Sequence, residues 1–265
     1  MFFLYGIHID NLEKEPLALL LEQWLISQKG HTIFTPNPEF LLEARASKSF
    51  LDLLNASDLS LPDGIGLTFA AAALTDQRLL HRQTGIDTLL LLARLCKKNH
   101  KRLLLLGGVE DVAFEAARRL NDQFPGLHST AINPGYLAGD DRSVDIPTTL
   151  LDDMQALQPD VIAVALGQGK QERVCLDLVE CFPCVRITIG VGGALDTLSG
   201  QRARAPTWMR NHGLEWVWRL MIEPKRWKRI VRATIVFPLV VLSDTIKQHR
   251  FLNACRNVLK AFFTV

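Results

Sequence analysis

Two short segments of the sequence place polar side chains beside proline, where they could contact a ligand. TPNPEF (35–40) follows the apolar run HTIF, and PDG (62–64) follows LSL. Proline fixes its own φ and disfavours the helical conformation in the residue before it, so a strand should end at the first segment. Asn37 is suited to cap a helix that has Pro38 as its first residue. Thr35 and Asn37 would then lie at the carboxyl end of a strand, where open α/β sheets bind ligands.

Asp63, in the second segment, carries a side chain that could act as a base. A carboxylate close to a substrate hydroxyl can accept its proton in the transition state, which is typically worth roughly 10²–10⁴-fold in rate. The same residue could cap a helix that begins near Ile65. On the local sequence alone, the capping role is favoured.

Glycines follow three of the predicted strands. Gly107 and Gly108 follow RLLLL, Gly167 follows VIAVAL, and Gly192 and Gly193 follow RITIGV. Glycine lets the backbone approach a ligand closely, and the helix that follows offers N–H groups and a positive dipole end to an anion. A phosphate-bearing ligand is therefore predicted, although each turn could need its glycine for geometry alone.

The sequence lacks the signatures of several common nucleotide-binding classes. No GxGxxG motif opens the first βα unit and there is no GxxxxGK[ST] motif, which argues against dinucleotide dehydrogenases and P-loop NTPases. There is no DxD pair, and no His, Cys and carboxylate residues cluster at ligand spacing. We predict no protein-held metal and no cofactor.

Strand-like apolar runs alternate with helical patterns along most of the 265 residues. This alternation predicts an α/β fold with a Rossmann-like, mostly parallel sheet and helices on both faces. The predicted strands are 1–9, 31–34, 102–107, 127–132, 160–167 and 185–192. The predicted helices are 15–28, 38–47, 66–75, 85–98, 111–124, 145–157 and 170–182.

The charge distribution divides the chain near residue 201. Residues 1–201 carry 17 basic and 25 acidic groups, whereas residues 202–232 carry nine basic and two acidic groups. We predict an α/β catalytic domain over 1–201 and a basic, Trp-rich helical appendage over 202–265. This appendage, also called the tail below, is basic whereas the α/β body is acidic. The difference indicates an anionic partner: a membrane surface, a nucleic acid or a phosphorylated substrate.

The appendage has features typical of a membrane–water boundary. It contains four of the five tryptophans, a residue type that favours such boundaries. The apolar run 233–243 is too short to span a bilayer, and an amphipathic helical pattern follows it over 244–263. We therefore predict that the appendage lies on the anionic leaflet.

Cysteine usage and the first residues of the chain both indicate the cytoplasm. The five cysteines have irregular spacing, which fits a reducing compartment better than a disulfide framework. The first residues lack a basic segment followed by a small-residue cleavage site. We expect a cytoplasmic protein that is peripheral on the inner face of the cytoplasmic membrane.

Nine segments, in order over roughly residues 1–232, resemble the TagA/WecG/CpsF family of bacterial glycosyltransferases. They are TPNPEF, LPDGIGL, HRQTGID, LLLLGG, NPGY, ALGQGKQE, IGVGGALDTLSGQRARAPTWMR, GLEWVWRL and EPKRWKR. The resemblance implies an inverting transferase that uses a UDP-N-acetylmannosamine-type or UDP-hexose donor. Its acceptor would be an undecaprenyl-diphosphate-linked sugar in the synthesis of teichoic acid, common antigen, capsule or exopolysaccharide.

The resemblance also implies roles for individual residues. Asp63 corresponds to the catalytic base, and Thr35 is grouped with it as catalytic. The family usually has proline before the lysine of KQE, where this chain has Gly169, so this loop should be more flexible here. The residues implied to bind substrate are Asn37, Arg82 and Gln171 at the sugar, Tyr136, Asp196 beside the nucleotide, and Arg219, Arg226 and Arg229 at the diphosphate.

Two other protein classes remain open from the residues. A nucleotide-sugar or dinucleotide oxidoreductase would share the fold, but neither Tyr5 nor Tyr136 lies in a YxxxK pattern. A non-enzymatic adaptor could use the basic tail, but it would not explain the polar residues at strand ends. We expect a UDP-sugar, a polyprenyl-diphosphate-linked sugar and an anionic membrane surface as partners, and no nucleic acid. The sequence leaves open whether the chain forms a homo-oligomer.

Overall fold

The computed structural model describes residues 1–75, 77, 79 and 81–262, which form eight strands and a larger number of helices. The strands are β1 Phe2–Leu4, β2 Ile7–Ile9, β3 His31–Phe34, β4 Leu59–Ser60, β5 Arg102–Gly107, β6 His128–Ile132, β7 Val161–Ala165 and β8 Ile187–Gly190. Six of them form one parallel sheet in the order β4-β3-β8-β7-β5-β6. The predicted α/β fold with a mostly parallel sheet is confirmed.

Helices precede, connect and follow the strands. They are α1 Lys14–Ile26, α2 Pro38–Ala46, α3 Lys48–Asn55, α4 Ile65–Leu74, α5 Gly85–Lys98, α6 Val112–Gln123, α7 Thr148–Leu157, α8 Lys170–Cys181, α9 Ala194–Leu198, α10 Thr207–Asn211, α11 Glu215–Ile222, α12 Trp227–Val231, α13 Phe237–Lys247 and α14 Phe251–Phe262. A 3₁₀ turn, Pro224–Arg226, lies between α11 and α12, and a π-helical turn, Arg232–Val236, joins α12 to α13. The seven predicted helices are present, whereas α3, the short helix α9 and the short strand β4 were not predicted.

The apolar strand β5 shows why helices cover both faces of the sheet. Leu103 and Leu105 pack with α5 and α6 on one face, and Leu104 and Leu106 pack with α8 on the other. All four side chains are fully buried. A continuous apolar run rather than an alternating one is what a parallel strand buried on both faces requires.

The prediction of one strand over residues 1–9 was wrong. β1 and β2 instead form a separate antiparallel hairpin, with Phe2 opposite Ile9. Tyr5 and Gly6 make its two-residue turn, at φ 50° and 82°. Such tight hairpin turns need positive φ at both positions, and an aromatic residue gives no sequence signal of that conformation.

The amphipathic pattern predicted over 244–263 does not form one helix. It is divided between α13 and α14, and His249 between them has a φ of 56°. Both helices pack against α4. Asp244, buried on α13, accepts a hydrogen bond from Tyr5 Oη (2.9 Å) and pairs with Arg45 of α2. In the described part of the chain, no helix has both the length and the apolar character needed to cross a membrane.

Candidate active site

The carboxyl ends of the parallel strands meet at one edge of the sheet, where a cavity of about 440 Å³ opens. Thr35 follows β3 there, Asp63 lies just beyond β4, Gly167 follows β7 and Gly192 follows β8. Helices α11 and α12 form the opposite wall. The cavity therefore occupies the position at which sheets of this class bind ligands.

Most of the residues predicted to form a site line this cavity. They are Thr35, Asn37, Asp63, Gly108, Tyr136, Gly167, Gln171, Gly192, Gly193, Asp196, Arg219, Arg226 and Arg229. Gly107 does not line it: a Cβ there would lie 2.5 Å from the Ala165 carbonyl oxygen, so the glycine is required for packing against β7. Arg82 also lies outside the lining, and its Nη2 donates to the Arg210 carbonyl (3.2 Å).

Asp63 lies half-buried in the turn between β4 and α4. Its backbone N–H donates to the Pro36 carbonyl (2.9 Å), which joins the two proline-containing segments of the sequence. Gly64, at φ 91°, occupies the cap position of α4, so the alternative role of Asp63 as helix cap is not observed. Among the described residues, none donates a hydrogen bond to the Asp63 carboxylate.

Burial raises the pKa of the Asp63 carboxyl to about 6. Of the charged neighbours, Arg219 and Arg82 lower this pKa, whereas Glu215 and Asp87 raise it. A base works best when its pKa is close to the operating pH. The Asp63 carboxylate therefore lines the cavity with a pKa suited to accepting a proton.

Thr35 and Asn37 are each partly engaged by the backbone. Thr35 Oγ1 donates to the Gly190 carbonyl (3.2 Å), which ties the end of β3 to the end of β8. Asn37 Oδ1 accepts from the N–H groups of Glu39 (2.9 Å) and Phe40 (3.2 Å), so the predicted cap of α2 is confirmed. The Asn37 Nδ2 group is the part of this side chain left to bind a ligand.

Gln171 is held by a buried carboxylate, Glu172, at the start of α8. Glu172 accepts from the Gly169 N–H (2.7 Å) and from Gln171 Nε2 (2.6 Å), and Gln171 Oε1 accepts from the Gly192 N–H (3.1 Å). Burial raises the pKa of Glu172 to about 7. Gly169, at φ 87°, has a conformation that proline cannot adopt and an N–H that proline lacks. The loops after β7 and β8 are thereby joined beneath the cavity.

Two arginines that the sequence analysis did not select bind the tail to the α/β body. Arg202 Nη2 lies 2.7 Å from Asp196 and 2.8 Å from Glu223, and Arg204 Nη2 lies 2.6 Å from Asp87. Asp196, predicted to bind substrate, is thus already in an ion pair. Both arginines belong to the segment beginning IGVGG, and membership of that segment was the only sequence signal that could have found them.

Arginines supply most of the positive charge at this edge of the sheet. Arg229 pairs with Glu39 (2.7 Å) and Arg226 with Glu223 (3.2 Å), so part of the tail's charge is neutralised within the molecule. Arg219 lines the cavity without an ion pair to any described residue. The described residues include no group of three or more His, Cys, Asp or Glu side chains that could hold a metal ion.

Replacing Arg202 with alanine is expected to lower the free energy of unfolding by roughly 3 kcal/mol. The reason is that Asp196 and Glu223, both largely buried, would lose their shared partner. Urea unfolding followed by circular dichroism measures the loss. The matched control is Arg118→Ala, because Arg118 forms only exposed ion pairs on α6 and its replacement should change the stability little. Equal losses would mean that Arg202 does not hold the tail.

The fold and the cleft are typical of an α/β enzyme, in which a ligand site lies at the carboxyl edge of the sheet. The chain belongs to the glycosyl transferase WecG/TagA/CpsF family, whose model matches residues 2–251. The family resemblance seen in the sequence is therefore confirmed, and the chain is a glycosyltransferase by family.

Three curated relatives carry the name N-acetylglucosaminyldiphosphoundecaprenol N-acetyl-beta-D-mannosaminyltransferase. The protein from Bacillus subtilis (strain 168) is 35% identical over 232 residues, which cover 87% of each chain. The one from Bacillus spizizenii is 33% identical over 208 residues, or 78% of this chain and 77% of that one. The one from Staphylococcus aureus (strain MRSA252) is 29% identical over 258 residues, or 97% and 94%.

Proposed function

We propose that the protein transfers N-acetylmannosamine from its UDP derivative to the N-acetylglucosamine of an undecaprenyl-diphosphate-linked acceptor, with inversion at the anomeric carbon. The observation that carries the proposal is that one cavity is lined both by the Asp63 carboxylate and by the arginines of the tail. These arginines are Arg219, Arg226 and Arg229. The names of the relatives support this choice of transferred sugar and acceptor.

Asp63 acts as the base in this reaction. The acceptor hydroxyl attacks the anomeric carbon, its proton passes to the Asp63 carboxylate, and the bond from that carbon to the UDP oxygen breaks. A base on the side of the sugar opposite the leaving UDP leads to inversion. With a pKa of about 6, the carboxyl is mostly ionised at neutral pH and can accept the proton.

The negative charge that develops on the leaving diphosphate needs fixed donors. Arg219 and Arg226 carry guanidinium groups on the cavity wall, and the turns at Gly108, Gly167 and Gly192 let backbone approach from the opposite wall. Such preorganised donors stabilise a developing oxyanion without reorganisation at the moment of reaction. We propose that these groups suffice without a metal ion held by the protein.

The sugar of the donor binds among Thr35, Asn37 and Gln171. Epimeric sugars differ in the direction of one hydroxyl, and a site that hydrogen-bonds that hydroxyl rejects an analogue that cannot make the bond. Glu172 and the Gly192 N–H fix the Gln171 amide from behind, so its remaining donor and acceptor capacity has a defined direction. This rigidity supports selection of one epimer.

The protein would work at the inner face of the cytoplasmic membrane, in the synthesis of a cell-surface polysaccharide. The helical segment over 202–265 would be its membrane-associating appendage on a Rossmann-like body. Trp208, Trp216 and Trp227 are 59%, 40% and 53% exposed, and Leu239 on α13 is 58% exposed. Tryptophan and leucine side chains that are exposed next to basic residues favour an anionic membrane surface.

The test is UDP release from a panel of UDP-hexoses and UDP-N-acetylhexosamines, with and without a short-chain polyprenyl-diphosphate N-acetylglucosamine. We expect release from UDP-N-acetylmannosamine that depends on the acceptor and is unchanged by a chelator. The new glycosidic bond should have the anomeric configuration opposite to that of the donor, as measured by NMR coupling constants. Release from every donor without an acceptor, or retention of configuration, would contradict the proposal.

A further inference from the structure

A second cavity, of about 330 Å³, lies between α4 and the two helices α13 and α14. Its lining is almost wholly apolar, with side chains such as Ala70, Val241 and Val258. Thr245 is an exception, but its hydroxyl donates to the Leu242 carbonyl (2.7 Å) and is thereby satisfied. A cavity of this kind, called the α4 groove here, suits a hydrocarbon and offers no hydrogen bond to a polar ligand.

The α4 groove results from small residues on one side of α4. Gly66, Ala70 and Ala73 are spaced by four and three residues, so they share one helix face. Side chains this small leave a gap between α4 and the helices that pack against it, whereas protein interiors are normally close-packed. At the mouth, Leu242 and Phe251 are 41% and 43% exposed. The groove is therefore open to a ligand that arrives from outside.

The α4 groove is adjacent to the candidate active site. A Cβ at Gly66 would lie 2.7 Å from Pro38 Cγ and 3.7 Å from Phe237, which lines the groove. Pro38 directly follows Asn37, which lines the active-site cavity, and Gly66 is three residues beyond Asp63. The two cavities thus lie on either side of a single layer of side chains.

The order of groups along the tail also connects the two cavities. Arg229 lines the active-site cavity, and the helical chain continues from it through α12 and the π-helical turn to Phe237. Eight residues of helix span about 12 Å. The tail therefore presents first a cation and then an apolar groove, which matches a ligand that has first a diphosphate and then a hydrocarbon chain.

We propose that the α4 groove binds the first isoprenoid units of the acceptor's polyprenyl chain. This inference rests on the proposed function, because it takes as the acceptor a sugar joined through diphosphate to a polyprenol. With the acceptor's diphosphate at Arg229, the chain passes Pro38 and Phe237 and enters between α4, α13 and α14. The enzyme then holds part of the lipid itself, and the remaining units stay in the bilayer.

The test compares two water-soluble acceptors in the absence of membrane: N-acetylglucosamine diphosphate esterified to farnesol, and the same compound esterified to methanol. We expect kcat/KM to be at least about tenfold higher for the farnesyl acceptor. Cys255→Phe places a large side chain in the groove at an exposed position. It should lower kcat/KM roughly tenfold for the farnesyl acceptor and leave that for the methyl acceptor unchanged. This is the loss expected when about two methylene groups of the chain return to water.

Two leucines on α13 provide a matched pair of variants. Leu242→Lys places a charge in the groove, whereas Leu239→Lys places the same charge on an exposed face outside it. We expect only Leu242→Lys to reduce the preference for the farnesyl acceptor. If both variants reduce vesicle binding and neither changes the ratio of kcat/KM for the farnesyl and methyl acceptors, the groove contacts lipids of the bilayer and the proposal fails. If Cys255→Phe only changes the oligomeric state in sedimentation, the groove contacts a second copy and the proposal also fails.

A readout without turnover separates this inference from the proposed function. A farnesyl diphosphate with a benzophenone at the chain end should photo-crosslink to peptides from α13 or α14 in the wild type, and much less in Cys255→Phe. Crosslinking there without transfer to either acceptor would refute the proposed function but support binding of the isoprenoid chain in the α4 groove. Transfer to both acceptors at equal rates, with crosslinks elsewhere, would support the proposed function and refute binding of the isoprenoid chain in the α4 groove.

Discussion

Asp63→Asn is expected to lower the kcat of acceptor-dependent UDP release by roughly 10²–10⁴-fold, the usual contribution of a general base. Asparagine keeps the size and shape of the side chain but cannot accept the proton. Because Asp63 makes no hydrogen bond to a described side chain, the substitution should leave the fold and the KM for the donor nearly unchanged. Steady-state kinetics and a urea unfolding curve check both statements, and full activity in the variant would remove Asp63 from the mechanism.

The pH profile of the wild type gives a sharper form of this prediction. The carboxyl must be ionised to act as a base, so kcat/KM should rise with pH through about 6 and level off above it. Glu215→Gln removes a charge that raises the pKa of Asp63, so the rise should move to lower pH. Arg219→Gln removes a charge that lowers this pKa, so the rise should move to higher pH. Shifts in the same direction, or none, would assign the rise to another group.

Arg226→Ala is expected to reduce kcat by roughly 10²–10³-fold, the loss typical when one donor to a developing oxyanion is removed. Arg226 lines the active-site cavity on the 3₁₀ turn between α11 and α12. Product inhibition by UDP should weaken in parallel, because the same guanidinium would bind the free diphosphate. Initial rates and UDP inhibition constants, measured on one preparation, test both effects.

Arg232→Ala is the matched control for this prediction. Arg232 carries the same charge six residues further along the tail, is half-exposed, and lies near Glu43 (3.6 Å) outside the cavity. Its replacement should change kcat less than about twofold, since exposed ion pairs contribute little. If both variants lost activity equally, the arginines would act by holding the tail to the body instead of binding the diphosphate.

The sequence was sufficient to predict the layers of the fold, but not their order. Runs such as RLLLLG identify strands buried on both faces because a parallel sheet has no solvent face. The position of β8 between β3 and β7 depends on packing across the whole chain, and no local pattern records it. The hairpin at Tyr5 was missed for a different reason: its turn contains one glycine and no other signal.

The candidate site was predictable where local geometry and ligand contact need the same residue. Asn37 caps α2 and also lines the cavity, so a turn signal was also a site signal. Glu172 and Arg202 could not be found in this way, because the burial of Glu172 depends on β8 and the partner Glu223 of Arg202 is distant in sequence. Glu172 is fully buried, and Gly190 of β8 lies against its carboxylate. A glutamate in the first turn of a helix would ordinarily be expected to lie in water.

The position of β8 has a consequence for biosynthesis. β8 pairs with β3 on one side and β7 on the other, so a nascent chain that has not yet reached Ile187 contains two incomplete sheets, each with an unpaired apolar edge. Exposed edges of this kind pair readily with other chains. Fragments that end before Ile187 should therefore aggregate, and a ribosome-bound chain should need a chaperone until β8 has emerged and joined the two halves.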